Sequence, residues 1–203
     1  PISNCAYPGE LNLYEEKNFW NGKPHESVFN YALTRRLIVA LGESYFSQYK
    51  LNTSSLILSN MYGKYDHFDE MRSHALGALI KKIHDAKENN KKSVIIWGTG
   101  DPIREWLHVD DGVQSLVRAS QLADGNYFFN VGVNKGLTIK ELAIKIAKLL
   151  EWDGEFEFDL TKPDGAKEKR VDGTSSKTYL DWEPEVNLDE GLAKTINWYV
   201  EQK

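Results

Sequence analysis

The sequence predicts an α/β fold with parallel strand pairing, on three observations. Short β-rich or apolar runs alternate along the chain with segments of helical periodicity, the alternation expected when helices cover a parallel sheet. The clearest run, Thr53–Leu58, is β-prone and ends in three consecutive apolar residues without alternation, as in a strand buried on both faces. Turn residues punctuate the runs, as in Gly98-Thr99-Gly100-Asp101-Pro102 after Ser93–Trp97.

The elements follow in order. Residues 6–30 hold Pro8, Gly9, Asn21, Gly22 and Pro24 among charges and aromatics, which is loop chemistry. Residues 30–49 read as a helix with Leu33, Leu37, Leu41 and Tyr45 on one stripe. Thr53–Leu58 is a strand running into Ser59-Asn60-Met61-Tyr62-Gly63, residues 64–72 are a polar loop, and residues 73–88 are helical. A second short strand is expected at Ser93–Trp97, and residues 104–109 are extended. Asp110 or Asp111 is placed to cap a helix reaching residue 122. Residues 127–131 form a strand, and Thr138 with Glu141 makes a capping box for a helix to residue 150, with Ile139, Leu142, Ile146 and Leu149 inward. A small strand at 155–158, a charged loop and a closing helix at Leu188–Glu201 complete the chain.

A chain of 203 residues can bury a sizeable core in one or two domains. Its 30 acidic residues against 25 basic ones argue against binding to nucleic acid or anionic membranes through bulk charge. The single cysteine, Cys5, rules out an internal disulfide framework and suits a reducing cytoplasm. No apolar run has membrane-spanning length and no signal peptide is evident. His25, His67 and His84 lack ligand spacing with a carboxylate or thiol, so no metal is expected. The chain starts at Pro1 on what reads as a strand end, as though it were the later part of something longer.

Tyr31 and Arg35 stand one helical turn apart near a helix start, so a phenol and a permanent cation share one face. Reduction or enolisation of a ketone needs a proton donor at the carbonyl oxygen, and a cation fixed beside a phenol favours the phenolate. Taken alone, this pair reads first as an exposed tyrosine at a helix start.

Several strings in one order carry more weight: Ser3-Asn4-Cys5-Ala6-Tyr7-Pro8; Asn30-Tyr31-Ala32 with Arg35; Ser59-Asn60-Met61-Tyr62-Gly63; Ser73-His74; Trp97-Gly98-Thr99-Gly100; Arg104-Glu105-Trp106-Leu107-His108-Val109-Asp110-Asp111; and Lys162-Pro163-Asp164-Gly165. Together they resemble the extended short-chain dehydrogenase/reductases that act on nucleotide sugars, the NAD-dependent epimerase/dehydratase family, and within it the GDP-L-fucose synthases. The resemblance covers nearly the whole chain. It implies the C-terminal part of a Rossmann-like doubly wound parallel sheet plus a smaller α/β substrate-binding domain. Residues 1–63 would be the remaining part of the NADP-binding domain. Residues 64–203 would be mainly the sugar-nucleotide-binding domain, with about 93–131 returning to the Rossmann sheet. The family's glycine-rich turn, which seats a pyrophosphate on backbone amides, has no counterpart here: no Gly-x-x-Gly-x-x-Gly occurs, and Gly98-x-Gly100 leads into Asp101-Pro102.

The resemblance also implies roles. Ser3 and Tyr31 would bind the sugar's C4 oxygen, with Tyr31 the general acid and Arg35 standing where the family has lysine. Arginine keeps the charge, but its planar fork is not interchangeable with an ammonium. Cys5 and His74 would be the base and acid of epimerisation. For Cys5 the alternative is plain packing, and for His74 a helix cap. Tyr31, Arg35, Ser59 and His74 would contact NADP. Asn60, Lys82, Trp97, Arg104 and Lys169 would bind the nucleotide sugar. Asn4 and Cys5 cannot supply the acidic pair of the superfamily's dehydratases.

The implied activity is 3,5-epimerisation and then NADPH reduction of a GDP-4-keto-6-deoxy-sugar. Its alternatives are a reductase alone, an epimerase alone, or a catalytically silent nucleotide-sugar-binding subunit in which Arg35 has ended turnover. Family members commonly pair through the tyrosine-bearing helix, so a homodimer is expected.

Overall fold

In a computed structural model, which describes residues 1–69 and 72–203, the elements in chain order are β1 (Ile2–Ser3), β2 (Leu13–Tyr14), α1 (Phe29–Tyr49), β3 (Thr53–Leu58), β4 (Asn60–Tyr62), α2 (Ala75–Glu88), β5 (Ser93–Trp97), β6 (Ile103–His108), α3 (Val109–Ala119), β7 (Asn126–Val131), β8 (Gly136–Thr138), α4 (Ile139–Leu149), β9 (Glu155–Asp159), β10 (Glu168–Val171), α5 (Thr174–Leu180) and α6 (Leu188–Glu201). Residues 70 and 71, inside the polar loop expected at 64–72, lie outside the described residues. The chain divides into two units: Pro1–Met61, Glu105–Gly136 and Glu168–Glu185 form the first, and Tyr62–Arg104, Leu137–Lys167 and Val186–Lys203 the second. Of the segment 93–131, residues 105–131 belong to the first unit and 93–104 to the second.

The first unit holds a parallel sheet in the order β1–β3–β7. Ser3 lies opposite Leu58, and Leu58 opposite Val131, so the three strands reach their carboxyl ends at one level. Side chains alternate across a strand, and β3 divides accordingly. Ile57 packs with Ile2, Val39, Tyr7 and Phe19, whereas Leu56 and Leu58 pack with Phe129, Val131, Leu180 and Trp182. Helix α1 packs against all three strands, α3 against β3, and α5 against β7. Strand β10 pairs in parallel with β2, and β6 and β4 continue that second sheet.

The loop expected at 6–30 is held firmly over the first sheet. The buried side chain of Asn130 accepts from the Tyr7 hydroxyl at 2.8 Å and donates to the Tyr14 carbonyl at 2.7 Å, while its backbone N–H donates to Glu16 Oε1 at 2.8 Å. Tyr7 stacks on Tyr14 with ring centroids 4.7 Å apart, and meets Phe19 edge-on. Burial, with Glu16 nearby, pushes the Tyr7 phenol well above its usual range, so it stays a neutral donor.

In the second unit β5 and β9 pair in parallel, Ser93 opposite Glu155 through Trp97 opposite Asp159. Helix α2 packs on β5 and α4, and α4 on α6. The capping box at Thr138 and Glu141 forms as expected. Tyr199 of α6 packs against Phe68 and meets His84 edge-on.

The Leu33, Leu37, Leu41 and Tyr45 stripe is exposed, at 42%, 58%, 46% and 48%, and α1 meets the sheet through Ala32 and Val39, with Gly42 close to Thr53. Three expectations need correction. Leu149 is also exposed, whereas Leu142 and Ile146 are buried. The cap of α3 is His108, whose Nδ1 accepts from the Asp110 N–H, because Asp111 is buried and accepts from the Glu185 N–H. The expected charged loop after β9 contains β10 and α5.

Candidate functional site

In the first unit β1 ends at Ser3 and turns directly into a 3-10 helix over Asn4–Ala6. The Ser3 hydroxyl caps this turn, accepting from the Cys5 N–H at 3.2 Å. Asn4 is buried, and Cys5 is half-buried with a free thiol. Helix α1 packs on this turn, and Arg36 fixes the junction. Its Nε donates to the Ala6 carbonyl at 2.7 Å and its Nη1 to the Gly22 carbonyl at 2.8 Å. The same guanidinium lies over the rings of Phe19 and Trp20. Burial lowers its pKa, but arginine remains a cation.

Tyr31 sits in the first turn of α1, 46% exposed. Arg35 shares its face: the guanidinium carbon lies 4.7 Å from the Tyr31 ring centroid, in a cation–π geometry. The Arg35 Nε is buried without a hydrogen-bond partner. Ser59 follows β3, its N–H donating to the Val131 carbonyl at 3.1 Å, and its buried hydroxyl has no hydrogen-bond partner. The Asn60 side chain donates to the Glu105 carbonyl at 3.0 Å, so its amide nitrogen braces the backbone. Lys169 is half-buried on β10.

Glu105 is fully buried in the first unit. Its Oε1 accepts from the Val133 and Asn134 N–H groups and its Oε2 from the Val171 N–H at 2.8 Å. Burial pushes its carboxyl up from 4.5 to about 7 against the pull of those three amides. Gly132 is required beside it: a Cβ there would meet Glu105 Oε1 at 2.4 Å and Val171 Cγ2 at 2.2 Å.

The second unit carries the other expected residues. His74 is exposed at the N-cap of α2, with no side-chain cap bond. Lys82 on α2 donates to the Ile95 carbonyl at 3.1 Å and lies over the Trp97 ring. It also lines a cavity of about 410 Å³ with Lys81, Asp85, Lys91 and Ser93. Asp164 accepts from the Thr99 N–H at 2.7 Å and the Thr99 hydroxyl at 2.9 Å, while Arg104 donates to its backbone carbonyl at 3.4 Å.

The structure therefore brings Ser3 and Cys5 together with the helix of Tyr31 and Arg35 in one unit, and Lys82, Trp97 and Arg104 together in the other. Sequence reasoning missed Arg36, Asn130 and Asp164. Arg36 and Asn130 act largely through backbone partners far along the chain, which residue type alone does not signal. Asp164 belongs to the Lys162-Pro163-Asp164-Gly165 segment, and its pairing with Thr99 spans 65 positions. Among the described residues no group of His, Cys, Asp and Glu is placed to hold a metal ion, and no helix is long and apolar enough to cross a membrane.

The putative GDP-L-fucose synthase 2 of Arabidopsis thaliana is 37% identical over 200 residues, covering 98% of this chain and 61% of that protein. Among solved structures, a GDP-6-OMe-4-keto-L-xylo-heptose reductase from C. jejuni superposes with a TM-score of 0.91 at 27% identity, over all of this chain and 69% of that one. The GDP-mannoheptose C4 reductase MlghC from Campylobacter jejuni, solved with NADP bound, gives 0.81 at 26% identity, over 98% of this chain and 68% of that one. The chain spans 61–65% of the length of the first curated relatives it matches. The model of the NAD dependent epimerase/dehydratase family matches residues 2–132, and the chain belongs to that family.

Proposed function

We propose that this chain carries the proton-transfer and nucleotide-sugar-binding parts of an epimerase/reductase that acts on a GDP-4-keto-6-deoxy-sugar with NADP. One observation carries the reading: Arg36 ties the turn bearing Ser3 and Cys5 to the helix bearing Tyr31, at the carboxyl end of a parallel sheet. Ligands of open α/β sheets bind at that end of the strands. In epimerisation the Cys5 thiolate takes a proton from a carbon flanking the ketone. The electron pair moves onto the carbonyl oxygen, where the Ser3 and Tyr31 hydroxyls stabilise the enolate. A proton then returns to that carbon from an acid, the role proposed for His74. In reduction Tyr31 gives its proton to the C4 oxygen as hydride arrives.

Two buried groups in the first unit fit the nicotinamide end of a dinucleotide, the Arg35 Nε and the Ser59 hydroxyl, each without a hydrogen-bond partner. NADPH supplies the hydride when bound, and Tyr31, Arg35, Ser59 and His74 are its proposed contacts. Lys82, Trp97, Arg104, Asn60 and Lys169 are the proposed contacts of the GDP-sugar. Curated relatives named GDP-L-fucose synthase and the GDP-sugar reductases among solved structures support this substrate class. The stacking of Arg35 on the Tyr31 ring favours one second reading, an epimerase that does not reduce. We place the protein in the reducing cytoplasm, where Cys5 stays a thiol, as a homodimer through the exposed apolar side of α1.

The test is to incubate the chain with GDP-4-keto-6-deoxymannose in D2O and follow the sugar by NMR. Deuterium should enter at C3 and C5, and Cys5→Ala should abolish its entry. NADPH oxidation in a parallel assay demonstrates the reduction step in addition. Exchange that survives Cys5→Ala, or no exchange and no GDP binding, overturns the proposal.

A further inference from the structure

Trp97 ends β5 with its indole 64% exposed, and two ammonium groups from different segments of the second unit lie over that one ring. Lys82 Nζ is 5.3 Å and Lys162 Nζ 5.5 Å from the ring centroid. Lys82 is steadied by its bond to the Ile95 carbonyl. Lys162 is brought there by a docked loop. The Asp159 carboxylate accepts from the Thr161 N–H at 3.0 Å and the Thr161 hydroxyl at 2.6 Å, and the Lys162 N–H donates to the Asp159 carbonyl at 3.1 Å. Asp164 then fastens the loop to the turn after β5 through both bonds from Thr99. Gly98 permits this approach: it has φ +75°, and a Cβ there would lie 2.1 Å from Asp164 Oδ1.

Two like charges on one solvent-exposed ring repel each other, and each gains little from an exposed indole. A ligand that offers a flat aromatic group to the ring and several anionic oxygens to the ammoniums satisfies both features, and a nucleoside diphosphate has that composition. Base stacking on an aromatic side chain is a strong, sequence-tolerant contact, and charge-assisted bonds to phosphate are the natural use of a displaced lysine.

We infer that Lys162 is a nucleotide-binding residue that rests on Trp97 in the free chain and moves to the diphosphate when the base takes the indole face. The inference rests on the nucleotide-sugar reading above and adds a residue which that reading does not use. Lys162 is exposed, so its replacement leaves the fold intact.

Calorimetric titration of the chain with GDP and with guanosine tests it. Lys162→Met should weaken GDP binding about tenfold, the loss typical of one charge-assisted bond, and leave guanosine within about twofold. Lys162→Arg should restore most of the GDP affinity. GDP affinity unchanged in Lys162→Met, or GDP and guanosine weakened alike, overturns the inference while the broader reading stands. An unsubstituted chain that fails to bind GDP removes both.

Discussion

Replacing Glu105 by glutamine isolates the contribution of a carboxyl held away from water. The folded chain raises this group from 4.5 to about 7, and at roughly 1.4 kcal/mol per pH unit that gap corresponds to about 3 kcal/mol. The sign follows from proton uptake: between the two values the folded chain holds the proton more tightly than the unfolded chain. The stabilisation is therefore complete below pH 4.5 and is lost as pH rises through about 7. Glutamine does not titrate, and the rest of the protein is common to both chains. The difference in unfolding free energy, Glu105 chain minus Glu105→Gln, should fall by roughly 2–3 kcal/mol between about pH 5 and pH 8. At every pH the variant also presents an amide N–H₂ to one of three backbone N–H donors, which adds a constant offset of about 1–3 kcal/mol against it. Urea unfolding of both chains at four pH values reads the slope apart from the offset. A difference that stays flat, or that moves toward Glu105 as pH rises, refutes the reasoning.

Arg36→Met removes both carbonyl bonds and the cation beside Phe19 and Trp20. Stability should drop by about 2–3 kcal/mol in urea, and trypsin should cut faster at Lys17; parental behaviour in both assays contradicts the pinning role. Thr138→Ala breaks the capping box of α4 and should cost about 1 kcal/mol, with Thr138→Ser close to neutral. The paired change Leu37→Lys and Leu41→Lys charges the exposed stripe of α1. Light scattering should give a dimer mass for the parent and a monomer mass for the variant, with far-UV circular dichroism unchanged; equal masses before and after count against the proposed homodimer.

The sequence was most legible where the signal is local. Thr53–Leu58, Ser93–Trp97 and Leu188–Glu201 have the limits their apolar runs and helical period imply, and Thr138 with Glu141 carries its cap within four residues. Legibility fell where a distant partner decides. Asp110 and Asp111 are ordinary capping residues, yet the Glu185 N–H claims the Asp111 carboxylate and leaves the cap to His108. Strand β10 is Glu-Lys-Arg-Val with only Val171 buried, and α5 reads Thr-Ser-Ser-Lys-Thr-Tyr-Leu, so neither displays a period. The leucines of α1 do fall on one stripe, but periodicity identifies a face without saying what meets it. In the candidate site, Ser3, Cys5 and Tyr31 are proposed on motif order. Arg36, which holds their supports together, donates to two carbonyls 30 and 14 positions away, and any residue can supply a carbonyl.

The chain passes from one unit to the other after residues 61, 104, 136, 167 and 185. Neither unit is thus a continuous stretch of gene, and no single cut or fusion can release one or graft it onto another protein. New specificity in such a chain must come from substitutions within existing segments or from short insertions at loop tips, because wholesale exchange of a module would sever both cores.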